Sequence, residues 1–479
     1  MIDQNMADCF GSIEQHRGAA EEAANDDLLL VGSLRPDPEV VGAHQRCELP
    51  RREILRGGIR MWRDEGPNAL RHDGGLHHLC LARSAPEAIR HVLVDHPEAY
   101  GRTRATLRIL KPLLGEGLFT SEGPVWRHQR RTLAPAFTPR SVELLVPHIR
   151  SATHEMVTRL AAGEQQQVDL FPMIQHLALE IAGRTMFSLE TRQYGSALRR
   201  QIMHYGQGLG RPHLLDFVVP IGIPTPYDLA RAWFRRGWIR LIEQIMAERL
   251  TAKTHASGPR DLLDLLMAAR DPESGEGFSP SQLRDQIATM ILAGHETTAV
   301  ALCWSVYLLA QVPEVQERIA HEAAAVLSDS GAEPQISKLT YTRAVLDEVM
   351  RLYPPAYVIV RAARQPDNVA GVAMKPGDLA IISTWVLHRH RRRWHEPDAF
   401  VPERFLPGAS AIERFAYLPF GVGPRVCIGA HFALTEATLV LAELMRSFRI
   451  ELVTTRPVLP IAVVTTQPDH APLFHLHRR

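Results

Sequence analysis

The longest regular pattern of apolar residues runs from Ser279 to Ala310. Its start combines a serine cap at Ser279, proline in the first turn at Pro280 and glutamine three positions on at Gln282, which together form a capping box. The pattern then continues without a proline and ends before Pro313. Because a helix rises about 1.5 Å per residue, roughly thirty residues make a rod of roughly 45 Å. The sequence therefore predicts one long helix that crosses the whole domain.

The centre of this predicted helix, residues 293–298, reads A-G-H-E-T-T. Glycine and threonine are poor choices for a helix interior, because glycine costs backbone entropy and a β-branched side chain loses rotamers. We therefore predict a helix that is weakened at its centre, with a local opening of the kind that functional sites use.

The remaining pattern predicts a fold that is mainly α with a smaller β-rich part. Helical periodicity covers 52–64, 86–94, 142–162, 193–208, 227–251 and 428–448, a further helix begins at Trp126, and short strands are indicated near Ala69 and His78. Residues 211–226 are rich in proline and apolar residues and are predicted to form a flexible cover. No repeat or linker divides the chain, so we predict a poorly ordered extension over 1–45 and a single domain over 46–479.

Composition and charge narrow the class of protein. The formal net charge of +1 provides no overall field for nucleic acid or for an anionic membrane. The five cysteines are odd in number and have no close pairs, which fits neither a disulfide framework nor a zinc site and indicates reduced thiols in a cytoplasmic protein. No apolar segment approaches the ~20 residues needed to span a bilayer, so we expect no membrane span.

The strongest chemical signal is the ten-residue segment F-G-V-G-P-R-V-C-I-G, which runs from Phe420 to Gly429. A glycine-rich turn before a helix would explain its glycines, but not the phenylalanine, arginine and cysteine at these positions. Given the composition of the chain, a chance match to F-x-x-G-x-R-x-C-x-G has a probability on the order of 10⁻⁴. Chance therefore does not account for this segment, which we call the cysteine loop.

Each position in the cysteine loop has a chemical reason. Cys427 lies where backbone N–H groups and a helix amino terminus can stabilise a thiolate, and Phe420 can shield its sulfur from water. Glycines such as Gly429 allow the backbone to approach a flat macrocycle, and Arg425 can pair with a carboxylate on it. A thiolate opposite an open iron position favours cleavage of dioxygen.

With this loop, the chain from about residue 50 onward resembles the cytochrome P-450 family, a fold in which haem lies between the long central helix and the cysteine loop. A second match, Glu348-Val349-Met350-Arg351, resembles the family's E-x-x-R helix. Together with Arg404 in Pro402-Glu403-Arg404-Phe405, it implies a buried Glu–Arg–Arg network that holds the cysteine loop. The resemblance implies a soluble, bacterial-type haem-thiolate monooxygenase. Its cofactor would be haem b (iron protoporphyrin IX), and Cys427 would be the ligand of the iron.

The resemblance also implies the other haem contacts. Trp126 and Arg130, at spacing i, i+4, share one helix face, and with Arg361 and Arg425 they would bind the haem propionates. Without the cysteine loop, Trp126 would be interpreted as core packing and Arg361 as a solvated charge. His128 is a weaker candidate for the haem edge, and the histidine-rich stretch from His388 to His395 is interpreted as a solvated basic loop.

The centre of the long helix resembles the family's A/G-G-x-D/E-T-T motif. The resemblance implies that Ala293 and Gly294 lie against the haem and leave room for oxygen. Glu296 and Thr297 are then the catalytic acid and alcohol, which together can relay protons from solvent. The alternative is that the threonines hydrogen-bond to helix carbonyls and bend the helix, and both interpretations can hold together.

About fifty residues follow Cys427, so we expect no fused reductase and a separate ferredoxin or flavodoxin with its reductase. Four arginines could attract such an acidic partner: Arg127, Arg130, Arg131 and Arg140. By family analogy, a lipophilic substrate would contact four segments, 103–119, 211–227, 355–360 and 460–464. We expect a monomeric monooxygenase that hydroxylates or epoxidises this substrate.

Two alternatives remain open at this point. A haem-thiolate peroxygenase or isomerase would work with peroxide but not with dioxygen and a reductase. A non-catalytic haem protein that binds a ligand would show spectral change without turnover. The intact acid–alcohol pair favours the monooxygenase.

Overall fold

Helices form most of the part of the chain that the computed structural model describes, which is residues 80–82, 85–163, 167–188, 194–220, 222–251, 258–327, 335–462 and 464–479. The α-helices, in chain order, are α1 Pro86–Arg90, α2 Arg104–Leu114, α3 Gly123–Leu133, α4 Pro139–Glu143, α5 Val146–Ala162, α6 Leu170–Phe187, α7 Gly195–His204, α8 Leu214–Val218, α9 Pro226–Thr251, α10 Leu262–Ala268, α11 Pro280–Leu309, α12 Pro313–Val326, α13 Thr340–Leu352, α14 Thr384–Leu387 and α15 Ala430–Ser447. Short 3₁₀ or π turns occupy His91–Asp95, Ala134–Phe137, Tyr205–Leu209, Ile336–Lys338 and Pro402–Phe405.

The β structure is smaller and lies beside the helices. Its strands are β1 Cys80–Ala82, β2 Tyr100–Gly101, β3 Val168–Asp169, β4 Ile359–Ala363, β5 Asp367–Val369, β6 Val372–Met374, β7 Leu379–Ile382, β8 Phe448–Leu452, β9 Pro460–Ala462, β10 Thr466–Pro468 and β11 Leu473–Arg478. They form a four-stranded sheet β1-β7-β4-β2, a three-stranded sheet β3-β11-β8 and the hairpins β5-β6 and β9-β10. Within the four-stranded sheet, only β1 and β7 run parallel. The predicted fold class, mainly α with a smaller β part, is confirmed.

The long predicted helix is α11, and its capping box is present as predicted. The Ser279 hydroxyl accepts from the Gln282 amide at 3.3 Å, and the Gln282 side chain accepts from the Ser279 amide at 2.9 Å. The carboxyl half of the helix is almost completely buried, with Trp304 1% exposed, in a core shared with α5, α6, α13 and α15. Packing against these helices positions the centre of α11 inside the domain.

By length and composition alone, α11 could also cross a membrane, although we expected no segment of that kind. The core helix of a globular domain meets the same two conditions, and 61% of the most apolar 18-residue window of α11 is buried inside the protein. Among the described residues no other helix meets them.

Several predicted boundaries differ from the structure. The helix predicted to begin at Trp126 begins at Gly123, where Pro124 occupies the first turn. The helix predicted over 142–162 is divided into α4 and α5, and the predicted cover contains the short helix α8. The predicted extension over 1–45, the helix over 52–64 and the strands near residues 69 and 78 lie outside the described residues.

Candidate haem-thiolate site

The cysteine loop makes a tight turn just before α15. The Cys427 amide donates to the Phe420 carbonyl at 2.9 Å, and the Val426 amide donates to the Gly423 carbonyl at 3.0 Å. Gly423 has φ +78°, and a Cβ placed there would lie 2.0 Å from the Leu93 carbonyl oxygen. Only glycine can occupy that position, because it combines left-handed backbone with direct backbone contact.

Cys427 is exposed, and the protein around it nevertheless desolvates the thiol enough to raise its pKa. The Gly429 amide and the positive charge of Arg130 act in the opposite direction. The expected stabilisation of the thiolate by a backbone N–H group is therefore present through Gly429, but desolvation of the thiol outweighs it. A metal ion that deprotonates the thiol on binding would overcome this effect.

The centre of α11 has free space along one face. Ala293 is exposed although it lies mid-helix, and a Cβ placed on Gly294 would meet nothing within 4 Å. Ile428, next to the cysteine, packs against the same apolar cluster as Leu292 and Ile291. The centre of the helix and the residue after Cys427 therefore border the same apolar core.

The helix continues without a break through this centre, so the predicted local opening is absent. The Thr297 hydroxyl donates to the Ala293 carbonyl at 2.7 Å, which satisfies it within the helix. Glu296 is held differently. Its Oε1 accepts from the Thr465 hydroxyl at 2.9 Å and from Gln467 Nε2 at 3.0 Å, and both donors lie at the β9-β10 hairpin.

Three arginines converge near the cysteine loop. Burial and the neighbouring charge of Arg425 lower the pKa of Arg361 to about 10. Burial and the charges of Arg361 and Arg425 lower the pKa of Arg102 well below its usual range. Among the described residues the Arg102 Nε is buried without a hydrogen-bond partner. A negatively charged ligand bound at this cluster would therefore be stabilised by all three arginines.

Arg102 was not predicted, because no local motif marks it. It follows β2, which pairs with β4 through Gly101 and Ala362 and so brings Arg102 beside Arg361. The two arginines are 259 positions apart in the chain, so their proximity becomes visible only when the pairing of β2 with β4 is known.

The two members of the predicted pair on α3 separate in their roles. The guanidinium of Arg425 lies over the ring of Trp126, with 4.4 Å between the Arg425 Cζ and the ring centre. Arg425 also donates to the Ser121 carbonyl at 3.2 Å. Arg130 instead lies close enough to Cys427 for their charges to interact. His128 does not point to this site, because its Nδ1 is 2.9 Å from buried Asp271.

The predicted Glu–Arg–Arg network is present. Arg351 bonds both oxygens of Glu348, at 2.6 and 2.8 Å, and Arg404 Nε lies 3.4 Å from Glu348 Oε1. Arg351 also donates to the His388 carbonyl at 2.9 Å, and the His388 ring accepts from the Leu418 amide at 2.8 Å. His388 is fully buried, so its assignment to a solvated loop was wrong.

Two of the four arginines in the predicted basic cluster are neutralised by ion pairs. Arg131 pairs with Asp271 at 2.9 Å and with Glu273 at 3.0 Å, and Arg127 pairs with Glu98 at 2.7 Å. Arg130 and Arg140 make no ion pair with the described residues, and of these two only Arg140 is exposed. The cluster is therefore a weaker attractor for an acidic partner than its sequence indicates.

The four segments expected to contact substrate meet in pairs. Arg108, in the first segment, is buried and donates to Asp228 at 3.0 Å and to the Val219 carbonyl at 2.6 Å, which ties α2 to the second segment. The Thr466 amide, just past the fourth segment, donates to the Pro355 carbonyl at 3.2 Å in the third.

These observations fit a flat anionic cofactor whose iron takes one protein ligand. No group of three or more His, Cys, Asp or Glu able to hold a metal occurs in the described ranges, and of the two cysteines whose side chains are described Cys303 is buried whereas Cys427 is exposed. The exposed cysteine can bind an iron ion, and the space along Gly294 can take a flat macrocycle. The cluster of Arg102, Arg361 and Arg425 can bind the carboxylates of that macrocycle. Fold and site thus define a haem-thiolate protein.

The comparisons with known proteins agree. The model of the family described as Cytochrome P450 matches residues 76–471, so the chain belongs to the cytochrome P450 family and is a P450 monooxygenase. It is 33% identical to cyclooctatin synthase of Streptomyces melanosporofaciens, over 76% of this chain and 79% of that protein. It is 31% identical to cytokinin hydroxylase of Arabidopsis thaliana, over 82% and 77%.

The fold is similar to a crystal structure of the cytochrome P450DA haem domain, with a TM-score of 0.72 and 25% identity over 84% of this chain and 88% of that one. Relatives occur in bacteria, plants and animals. The comparisons therefore identify the family, and the narrower soluble, bacterial type is left as a prediction.

Proposed function

We propose that this enzyme inserts one oxygen atom from dioxygen into a lipophilic organic substrate, by hydroxylation or epoxidation. Electrons would come from a separate ferredoxin or flavodoxin with its reductase. The observation that carries the proposal is that Glu296 and Thr297 lie within one turn of the free space at Gly294, on a helix that shares an apolar core with Ile428 of the cysteine loop. A carboxylate and a hydroxyl so placed can pass protons inward from solvent.

Residues from several elements would hold the different parts of the haem. Cys427 would be the single protein ligand of haem b, with Phe420 and Gly429 shaping the loop around it. Arg102, Arg130, Arg361 and Arg425 would pair with the propionates, with Trp126 packed beneath Arg425, and the positive charge of Arg130 would also favour the thiolate. When bound, the haem iron supplies the capacity to bind and cleave dioxygen.

The chain's own groups control protons and space. Ala293 and Gly294 keep the helix face clear, because a larger side chain would fill the space beside them. The Thr297 hydroxyl donates to the Ala293 carbonyl, which leaves its oxygen able to accept a further hydrogen bond. Glu296, one residue away, can replace a proton taken from that hydroxyl.

The substrate is proposed to be lipophilic because the four segments expected to contact it are mainly apolar. Relatives named for cyclooctat-9-en-7-ol and for 11-oxo-beta-amyrin make these two compounds the first to screen. We further propose a monomeric cytoplasmic protein in which α11 is a core helix and not a membrane span.

The test is turnover of purified protein with a ferredoxin, its reductase and ¹⁸O₂, on substrates chosen by their effect on the iron spin state. The expected result is a product that carries one ¹⁸O atom and a red-shifted carbon monoxide spectrum that Cys427→His abolishes. Product with peroxide but none with dioxygen would favour a peroxygenase. Spectral shifts without any product would favour a non-catalytic binding protein.

A further inference from the structure

We propose that Thr465 and Gln467 are positioning residues for Glu296, and that the β9-β10 hairpin sets where this carboxylate lies. The inference rests on the proposed function, in which Glu296 supplies protons. Neither residue was among the candidates from the sequence, because both are about 170 positions from Glu296 and no local motif marks them.

Both donors reach the same oxygen of the carboxylate. The Thr465 hydroxyl donates to Glu296 Oε1 at 2.9 Å and Gln467 Nε2 donates to it at 3.0 Å. Among the described residues no hydrogen bond engages Oε2. One oxygen is therefore fixed in space while the other is free to exchange a proton.

The backbone of the hairpin explains why two residues act together. Thr465, just before β10, and Gln467 within it both bond Glu296, whereas the hydroxyl of Thr466 between them bonds the Pro354 carbonyl instead. Thr466 is the anchor between them. Its hydroxyl donates to the Pro354 carbonyl at 2.6 Å, and its own carbonyl accepts from Trp304 Nε1 at 2.7 Å.

This second attachment lies on α11 itself. Trp304 follows Glu296 by eight residues, or about two helical turns, so the hairpin is tied to the same side of the helix at two levels. Trp304 is 1% exposed and stacks on Tyr353 with 3.9 Å between ring centres. The two donors are consequently held on a rigid support.

The donors are also neutral, which matters for a group that must exchange protons. Within the described part of the chain Glu296 makes no ion pair, whereas Glu348 is locked by Arg351 at 2.6 Å. The adjacent His295 adds no positive charge near neutral pH, because burial lowers its pKa. Neutral donors orient the carboxylate without binding it as tightly as an arginine would.

The hairpin also carries Pro460–Ala462, which belongs to the fourth segment expected to contact substrate. A ligand that displaced the hairpin would move Thr465 and with it the carboxylate.

The test uses Thr465→Val, which removes the hydroxyl without changing the shape of the side chain, and Gln467→Met. Thr465→Ser is the rescue. The matched control is Thr185→Val, because Thr185 is 3% exposed and Thr465 is 4% exposed, and the Thr185 hydroxyl bonds its own helix at the Ile181 carbonyl, 2.7 Å away. Thermal unfolding shows that each variant is folded.

The first readout is the fraction of consumed electrons that leaves as peroxide rather than product, together with the solvent isotope effect on kcat. A hydrogen bond to a charged carboxylate is worth about 1.5–3 kcal/mol, so kcat for product should fall at least about tenfold with KM little changed. In Thr465→Val and Gln467→Met the peroxide fraction and the isotope effect should rise. Thr465→Ser should restore wild-type values and Thr185→Val should keep them.

The second readout needs no turnover. The infrared carboxylate band of Glu296, identified as the band lost in Glu296→Gln, should move in Thr465→Val and not in Thr185→Val. An unmoved band overturns the inference, as does a peroxide fraction in both Thr465→Val and Gln467→Met that equals the wild-type value. If wild-type protein makes no product from dioxygen while the band does move, the proposed function fails and the positioning of Glu296 stands.

Discussion

The ring of His388 accepts a hydrogen bond from the backbone amide of Leu418 at 2.8 Å. Through its own carbonyl the same histidine accepts from Arg351 at 2.9 Å. The Leu418 carbonyl in turn accepts from the Gly421 amide at 3.1 Å, inside the cysteine loop. A continuous path of hydrogen bonds therefore connects the buried Glu348–Arg351 pair to the segment that presents Cys427.

Replacing His388 tests this path. In His388→Leu the buried Leu418 amide loses its acceptor, which costs about 1–3 kcal/mol. We expect a lower free energy of unfolding in urea and faster loss of haem. In His388→Gln a side-chain oxygen can still accept, so at pH 7.5 this variant should remain close to wild type. Equal stability of His388→Leu and wild type would contradict the role assigned to the path.

The pH dependence follows from the same residue. Burial, reinforced by the positive charges of Arg351 and Arg389, lowers the pKa of His388 to about 3, whereas that of an unfolded histidine is about 6.5. Between these values only the unfolded chain binds the proton. The stability should therefore be fully present above pH ~6.5 and fall by ~1.4 kcal/mol per pH unit towards pH ~3. Urea titrations at several pH values should give a shallower slope for His388→Gln, and an unchanged slope would exclude His388 as its source.

Arg102 is expected to bind a haem carboxylate. A charge-assisted hydrogen bond is worth about 1.5–3 kcal/mol, so Arg102→Leu should release haem at least about tenfold faster to excess apomyoglobin. The apoprotein should not become less stable, because the substitution removes one of three neighbouring positive charges. Arg90→Leu, at an exposed arginine paired with Asp95, is the control. Identical release rates would remove Arg102 from the site.

The surface for an electron donor can be tested at Arg140. Arg140→Glu should slow reduction by a ferredoxin roughly threefold at low ionic strength, and high salt should remove the difference. Arg131→Glu is unsuitable for this purpose, since it would place a carboxylate against buried Asp271, whose pKa Arg131 and His128 hold well below its usual range. That variant should lose stability at every salt concentration. A reduction rate of Arg140→Glu equal to wild type at low salt would reject this surface.

Arg108 should control the segment that covers the core between α2 and α9. Its guanidinium donates to Asp228 and to the carbonyls of Leu215 and Val219. In Arg108→Leu these groups lose their donor, so amide hydrogen exchange over residues 214–220 should accelerate about tenfold while the core helices keep their protection. Arg104→Leu, at an exposed residue of the same helix, should leave the exchange unchanged. No acceleration in Arg108→Leu would mean that other contacts hold the segment.

Local pattern was sufficient for the features that depend on neighbours in the chain. The capping box at Ser279, the extent of α11, the cysteine loop and the E-x-x-R helix all follow from residues within one or two turns of each other. Helix periodicity and turn chemistry act over that range, which is why they could be interpreted in the absence of structure.

Tertiary structure decided every relationship between distant segments. It brought Arg102 beside Arg361 by pairing β2 with β4, directed His128 and Arg131 to Asp271, buried His388, and placed Thr465 and Gln467 on Glu296. Hydrogen bonds and charge interactions depend on distances of a few ångströms, and a chain has no local signal for partners more than a hundred residues away. Local pattern in the sequence was thus enough to propose Cys427 as the ligand of the iron and Glu296 as the acid, while the fold decided which distant residues contact Glu296 and the segment that carries Cys427.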